Sequence, residues 1–232
     1  MQNTVLDTQK FVLANWKSHK TLEEAVGWLA EVGPLGTNSP YEVIVCPPFP
    51  FLYPLSQEIR AKKYRISLGI QDVSPFPAGA YTGAVCVRNL KGLGVKYALV
   101  GHSERRNYFH ETVQEIANKV TQLIEENITP IVCIDREHTI AQANALEGGE
   151  RKRCLVLYET VGHIGTGEVE DLPSVLRSVD EIHHAFGFPI PVIYGGSVSD
   201  TSRDFFMKHE KLAGVVVGTK SLDPKEFAKI IQ

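Results

Sequence analysis

Short runs of apolar and β-branched residues recur along the chain, each followed by a longer amphipathic stretch. The runs are Phe11–Asn15, Glu42–Cys46, Ser67–Gln71, Tyr97–Gly101, Pro130–Ile134, Leu155–Glu159, Pro191–Tyr194 and Gly214–Gly218. Near-continuous apolar runs suit strands buried on both faces, and strands alternating with helices predict a parallel sheet. Several helices carry start signals. Thr21 with Glu24 and Thr112 with Glu115 read as capping boxes ahead of Ala25–Val32 and Ile116–Glu125, and Asp223-Pro224 reads as a cap with a first-turn proline. Eight such units in 232 residues fit one α/β domain, residues 1–232, folded as a (β/α)8 barrel. A doubly wound open sheet is the alternative, because strand order cannot be read from periodicity. Between the fifth and sixth runs only Thr139–Leu146 looks helical before Gly148-Gly149-Glu150-Arg151-Lys152-Arg153, so the fifth outer helix is expected to be cut short.

The strand ends carry the candidate chemistry, since a (β/α)8 barrel builds its site just past the C-terminal ends of its strands. The first run ends in Asn15-Trp16-Lys17, the fourth in Val100-Gly101-His102-Ser103-Glu104-Arg105-Arg106, and the seventh in Tyr194-Gly195-Gly196-Ser197. The eighth ends in Val217-Gly218-Thr219. The sixth ends in Glu159, followed by a loop with Gly162, Gly165 and Gly167. A carboxylate on a rigid strand beside an amide-rich loop suits proton abstraction from a small anionic substrate that the loop covers. Taken alone, that segment reads better as a strand followed by an ordinary glycine-rich turn.

Composition narrows the choice. Lys and Arg total 24 against 27 Asp and Glu, a net charge of −3 without basic runs, which argues against nucleic acid as a partner. No apolar run approaches the ~18 residues of a membrane span, and Met1–Lys10 is too polar to read as a secretory signal. Cys46, Cys86, Cys133 and Cys154 are widely spaced and lack metal-ligand spacing, so buried free thiols in a reducing cytoplasm are expected.

With these residues in view, the chain resembles the triosephosphate isomerase family over nearly its whole length and in the same order. The resemblance is carried by Asn15-Trp16-Lys17, by Val100–Arg106 with Tyr108-Phe109-His110-Glu111, by Tyr158-Glu159, by Ile164–Gly167 and by Tyr194–Val198. It implies interconversion of dihydroxyacetone phosphate and glyceraldehyde 3-phosphate through an enediolate, with no metal and no organic cofactor. Glu159 would be the base that moves the proton between the substrate carbons; without the surrounding motif it would be a surface carboxylate at a strand end. His102 would donate to the substrate oxygens, and Ser103–Phe109 reads as a short helix starting beside it. A helix N-terminus disfavours imidazolium, and the family is itself the standard worked case of that effect, so the neutral imidazole comes with the resemblance. Lys17 would stabilise the enediolate charge, Asn15 would orient the substrate oxygen, and Glu104 would support Lys17. His110, His138, His183, His184 and His209 are read as structural. Backbone N–H groups near Gly165, Ser197, Gly218 and Thr219 would hold the phosphate, since glycines let the main chain approach an anion. Those glycines could otherwise simply make tight turns, a fair reading for Gly195. The long loop Gln71–Gly83 would reach into a partner subunit, placing Gln71, Phe76, Tyr81, Thr82 and Arg105 at a homodimer interface.

The chain also departs from the family pattern. Thr160-Val161-Gly162 and His163 stand where the family usually has Pro-Val-Trp and a small apolar residue. Fewer stiff residues give that segment more entropy to lose on ordering, so slower or looser covering of the substrate is expected. Ala84 replaces a Glu that would face the neighbour's arginine, Glu168 replaces a common Lys, and Thr219 replaces a second Gly. The other readings left open are a different phosphate-binding barrel isomerase and a non-catalytic dimeric barrel.

Overall fold

The structure, a computed structural model, describes residues 9–160 and 170–232. Its eight strands are β1 Phe11–Asn15, β2 Glu42–Cys46, β3 Ile66–Ile70, β4 Val95–Val100, β5 Thr129–Ile134, β6 Leu155–Glu159, β7 Val192–Gly195 and β8 Leu212–Val217. Each pairs in parallel with the next, and β1 also pairs with β8, closing the barrel. The open-sheet alternative is therefore excluded.

Because a strand's side chains alternate between faces, each strand feeds two cores. Phe11, Leu13, Ile44, Leu99, Ile131, Leu155, Leu157 and Ile193 fill the barrel. Val12, Ala14, Val43, Val45, Ala98, Val132, Val156 and Val192 face outward and pack beneath the helices. Burial on both faces is why the runs read as continuously apolar. At β1, β2 and β6 the strand bounds match the expected runs. Elsewhere they shift by one or two residues: Ile66 already pairs with Val43, β7 opens at Val192 instead of Pro191, and Gln71 leaves the ladder to serve a loop.

The described helices are α1 Leu22–Asn38, α2 Leu52–Lys62, α3 Ser103–Phe109, α4 Val113–Glu125, α5 Thr139–Ala145, α6 Gly148–Arg151, α7 Leu172–Phe186, α8 Asp200–Met207 and α9 Pro224–Ile231. Thr21 and Thr112 form the expected capping boxes, and Asp223 caps α9. α1 continues past the expected Val32 and through Pro34, held by packing against the barrel. α5 is cut to two turns, followed by the single turn of α6. The short α5 still braces the wall: the buried Gln142 donates to Val113 O and accepts from Arg106.

All four cysteines are buried and unpaired. Burial pushes the Cys46 and Cys154 thiols up to about 12. No helix among the described residues is long and apolar enough to cross a membrane.

Candidate active site

The C-terminal ends of β1, β4, β6, β7 and β8 enclose a cavity of about 40 Å³ lined by Asn15, Lys17, His102, Leu157, Glu159, Gly195, Gly196, Val216 and Gly218. Three candidate chemical groups, remote in sequence, thus share one small space: an ammonium, an imidazole and a carboxylate.

Lys17 sits just past β1 with φ +50, a left-handed conformation unusual for a side-chain-bearing residue and costing about 1–3 kcal/mol. Two neighbours hold it. Its N–H donates to Asn15 Oδ1 at 3.1 Å, and its carbonyl accepts from Gln71 Nε2 at 2.8 Å. The same Gln71 amide also reaches Cys46 O at 2.9 Å, joining β2 to the Lys17 turn. Lys17 Nζ lies 2.6 Å from Glu104 Oε1, the pairing expected from the sequence.

His102 follows Gly101, whose φ of +74 lets the chain turn sharply out of β4. A Cβ there would lie 2.7 Å from Ile116 and 2.8 Å from Arg106. His102 is the N-cap of α3, and its Nδ1 accepts from the Glu104 N–H at 3.2 Å. An accepting Nδ1 assigns the ring proton to Nε2. That nitrogen lies 3.0 Å from Glu159 Oε1.

Glu159 ends β6 and is only 4% exposed. Besides His102, Ser103 serves it twice: the Ser103 N–H donates to Oε2 at 2.8 Å and the hydroxyl to Oε1 at 3.2 Å. A buried carboxylate needs such donors. Its charge is felt on the adjoining strand β5, where the Cys133 thiol is held well above its ordinary range, first by burial and then by the Glu159 charge.

Sequence reasoning assigned no role to Ser103 or to the Gln71–Lys17 contact. Ser103 lay inside the quoted motif, and its place at a helix start beside His102 was a usable signal. Gln71, expected at an interface, is half-buried, and its amide is used within the chain. Arg106 binds Gly101 O, Cys133 O and Gln142, so it fastens β4 to β5 and stays off the cavity lining.

Of the expected phosphate residues, Gly218 lines the cavity, while Ser197 and the exposed Thr219 lie on the turns just beyond Gly196 and Gly218. Gly165 lies outside the described residues, as do Val161, Gly162, His163, Gly167 and Glu168. Thr160 is described and buried; its N–H donates to Gly195 O at 3.0 Å.

The loop expected to project does expose aromatics. Phe76 and Tyr81, each 43% exposed, stack with centroids 4.6 Å apart, and Thr82 beside them is exposed. Its base is anchored by buried charge. Asp72 lies 2.6 Å from Lys119 Nζ and 2.8 Å from Arg105 Nη2, and Lys119 also pairs with Glu111. Arg105 further stacks on Phe109.

Comparison with known proteins identifies the family of the chain. A family model described as triosephosphate isomerase matches residues 10–232. Curated triosephosphate isomerases are similar throughout. One from a Synechococcus strain is 34% identical, covering 95% of both chains. One from Prochlorococcus marinus is 36% identical, covering 94% of this chain and 96% of the relative. One from Thermus thermophilus is 36% identical, covering 95% and 97%.

Proposed function

Because the chain belongs to the triosephosphate isomerase family of enzymes, we propose that it interconverts dihydroxyacetone phosphate and D-glyceraldehyde 3-phosphate by proton transfer through an enediolate. The observation that carries this reading is the convergence of Lys17, His102 and Glu159 on one cavity from three separate strands.

The chemistry follows from the donors. Glu159 is the base: it takes a proton from one substrate carbon and returns it to the neighbouring carbon, so one carboxylate suffices for both steps. At rest it accepts twice from Ser103, and its Oε1 lies 3.0 Å from His102 Nε2. Those bonds must be exchanged for the substrate before a carbon-bound proton can be reached. His102 Nε2–H, freed from Glu159, then donates to the carbonyl oxygen where negative charge develops. Lys17 supplies the compensating positive charge, worth most in a water-excluded site. Its fixed backbone and its Glu104 partner hold that charge in place before the substrate arrives. Asn15 orients a substrate oxygen, and main-chain N–H groups near Gly165, Ser197, Gly218 and Thr219 hold the phosphate. No cofactor is required, because the proton leaves and returns through protein groups.

The stacked Phe76 and Tyr81 support a homodimer formed through the Gln71–Gly83 loop, since exposed aromatics on a braced projection favour an interface. Ala84 removes one expected charge pair, which weakens this interface slightly. Four unpaired thiols suit a cytoplasmic protein.

A coupled assay with glyceraldehyde 3-phosphate on purified protein tests the reading. Glu159→Gln should lower kcat by about 10²–10⁴-fold with folding intact. Absence of turnover in the unaltered protein would favour a non-catalytic barrel. A dilution series reports subunit dependence in the same experiment.

A further inference from the structure

We propose that Glu170 is a positioning residue for Glu159, binding the residues on both sides of that carboxylate into one hydroxyl network. The inference rests on the isomerase reading above and adds to it a residue outside the cavity lining.

Glu170 precedes the N-cap of α7, and its side chain is 13% exposed. Its Oε1 accepts from the Ser174 hydroxyl at 2.6 Å and from Arg136 Nη2 at 3.3 Å. Its Oε2 accepts from the Tyr158 hydroxyl at 3.4 Å, and its own N–H donates to the Tyr194 hydroxyl at 3.3 Å. One residue therefore joins the segment after β5, the ends of β6 and β7, and the first turn of α7.

The two tyrosines lead to the base from opposite sides. Tyr158 immediately precedes Glu159 on β6. Adjacent side chains on a strand point to opposite faces, so Tyr158 packs outward under α7 while Glu159 enters the barrel mouth. Ser178 of α7 donates to the Tyr158 hydroxyl at 3.0 Å, and Arg136 Nε donates to Ser178 Oγ at 2.9 Å. Thr160 immediately follows Glu159; its hydroxyl donates to Gly195 O at 3.3 Å, on the residue next to Tyr194, whose own hydroxyl receives the Glu170 N–H. These groups meet tightly: a Cβ on Gly196 would lie 2.3 Å from Tyr194 Oη and 2.9 Å from Thr160 Oγ1. Burial holds both phenols above their ordinary pKa, so they remain hydroxyls and keep their donors.

Arg136 is half-exposed, so its pairing with Glu170 adds little energy. The consequence is geometric. Near-attack geometry tolerates displacements well under 1 Å, and a strand end clamped at both neighbours of the base can meet that tolerance.

The test is steady-state kinetics of Glu170→Ala, Glu170→Gln, Tyr158→Phe and the double variant Glu170→Ala/Tyr158→Phe, beside the unaltered protein. The expected result is a roughly tenfold fall in kcat for Glu170→Ala with KM changed less than twofold. Glu170→Gln, which keeps the shape and an acceptor, should recover most of it. The double variant should be no slower than the slower single variant, because both changes cut one path. Unchanged kcat in Glu170→Ala, a loss confined to KM, or multiplying effects in the double variant would overturn the inference. Should Glu170→Ala fail to fold, Tyr158→Phe gives the same readout with less disruption: a fall in kcat at constant KM supports the inference and an unchanged kcat overturns it. Absence of turnover in the unaltered protein would instead overturn the isomerase reading, so the two failures are distinguishable.

Discussion

The two halves of the candidate site are fastened by different chemistry. Lys17 is held by Gln71, whose neighbour Asp72 belongs to a largely buried ionic cluster with Arg105, Glu111 and Lys119. Glu159 is flanked instead by hydroxyls, those of Tyr158, Thr160, Tyr194, Ser174 and Ser178, gathered by Glu170. Buried charges are rigid while every partner is present and costly once one is removed. Hydroxyl networks are individually weak, each bond adding about 0.5–1.5 kcal/mol, but loss of one leaves no stranded charge. The ammonium side should therefore fail through stability, and the carboxylate side through geometry at nearly constant stability.

The sharpest way to break this contrast is Lys119→Met. It removes the ammonium that Asp72 and Glu111 share and leaves both carboxylates to the part-exposed Arg105, in a site where Lys119 is 2% exposed and Glu111 Oε2 already has no partner among the described residues. A loss of about 3–5 kcal/mol is expected in urea unfolding. A loss below about 1 kcal/mol would mean that water serves the cluster and the contrast is false.

Next is Gln71→Met, which keeps the shape but removes the donor to Lys17 O and Cys46 O. About 1–3 kcal/mol of stability should be lost. Lys17 would then hold its left-handed turn with only Asn15 in support, so kcat/KM should fall several-fold. Stability loss without a kinetic effect would separate the ionic side from catalysis.

Thr160→Pro is expected to cost about 1 kcal/mol, because proline cannot supply the N–H that Thr160 donates to Gly195 O. Sequence comparison alone would anticipate a gain from the stiffer residue. Thermal unfolding with kcat decides between the two.

The smallest effect lies in alkali. The Tyr158 and Tyr194 pKa values are raised, first by burial. Above the ordinary value of 10.0 the unfolded phenols release protons that the folded ones keep, so stability falls as pH rises through that range. Urea unfolding at successive alkaline pH values should show this decline, and Tyr158→Phe should lessen it.

The chemistry-bearing positions were legible because they sit in short, local patterns. Asn15-Trp16-Lys17, the His102 motif and Glu159 each follow an apolar run, and strand-end placement is local information. The capping boxes and the shortened α5 were legible for the same reason. Ser103 was visible but not weighed, because its role appears only when β6 is brought beside α3. The inward role of Gln71 is not legible, because a polar residue opening a loop reads as surface until its two carbonyl partners on other elements are known. Asp72, Lys119, Arg136 and Glu170 gave no signal, since a charged residue on a helix or loop reads as solvated by default.

By itself the sequence determined the number and kind of repeating units, the caps that start the helices, and which side chains could do chemistry at strand ends. These depend on periodicities and hydrogen bonds within a few residues. Only the tertiary structure decided that β8 closes on β1, that Lys17 is held by Gln71 from the loop after β3, and that both neighbours of Glu159 lead toward Glu170. Each of those joins groups tens of residues apart, and the energy that selects them exists only once the chain has brought them into contact.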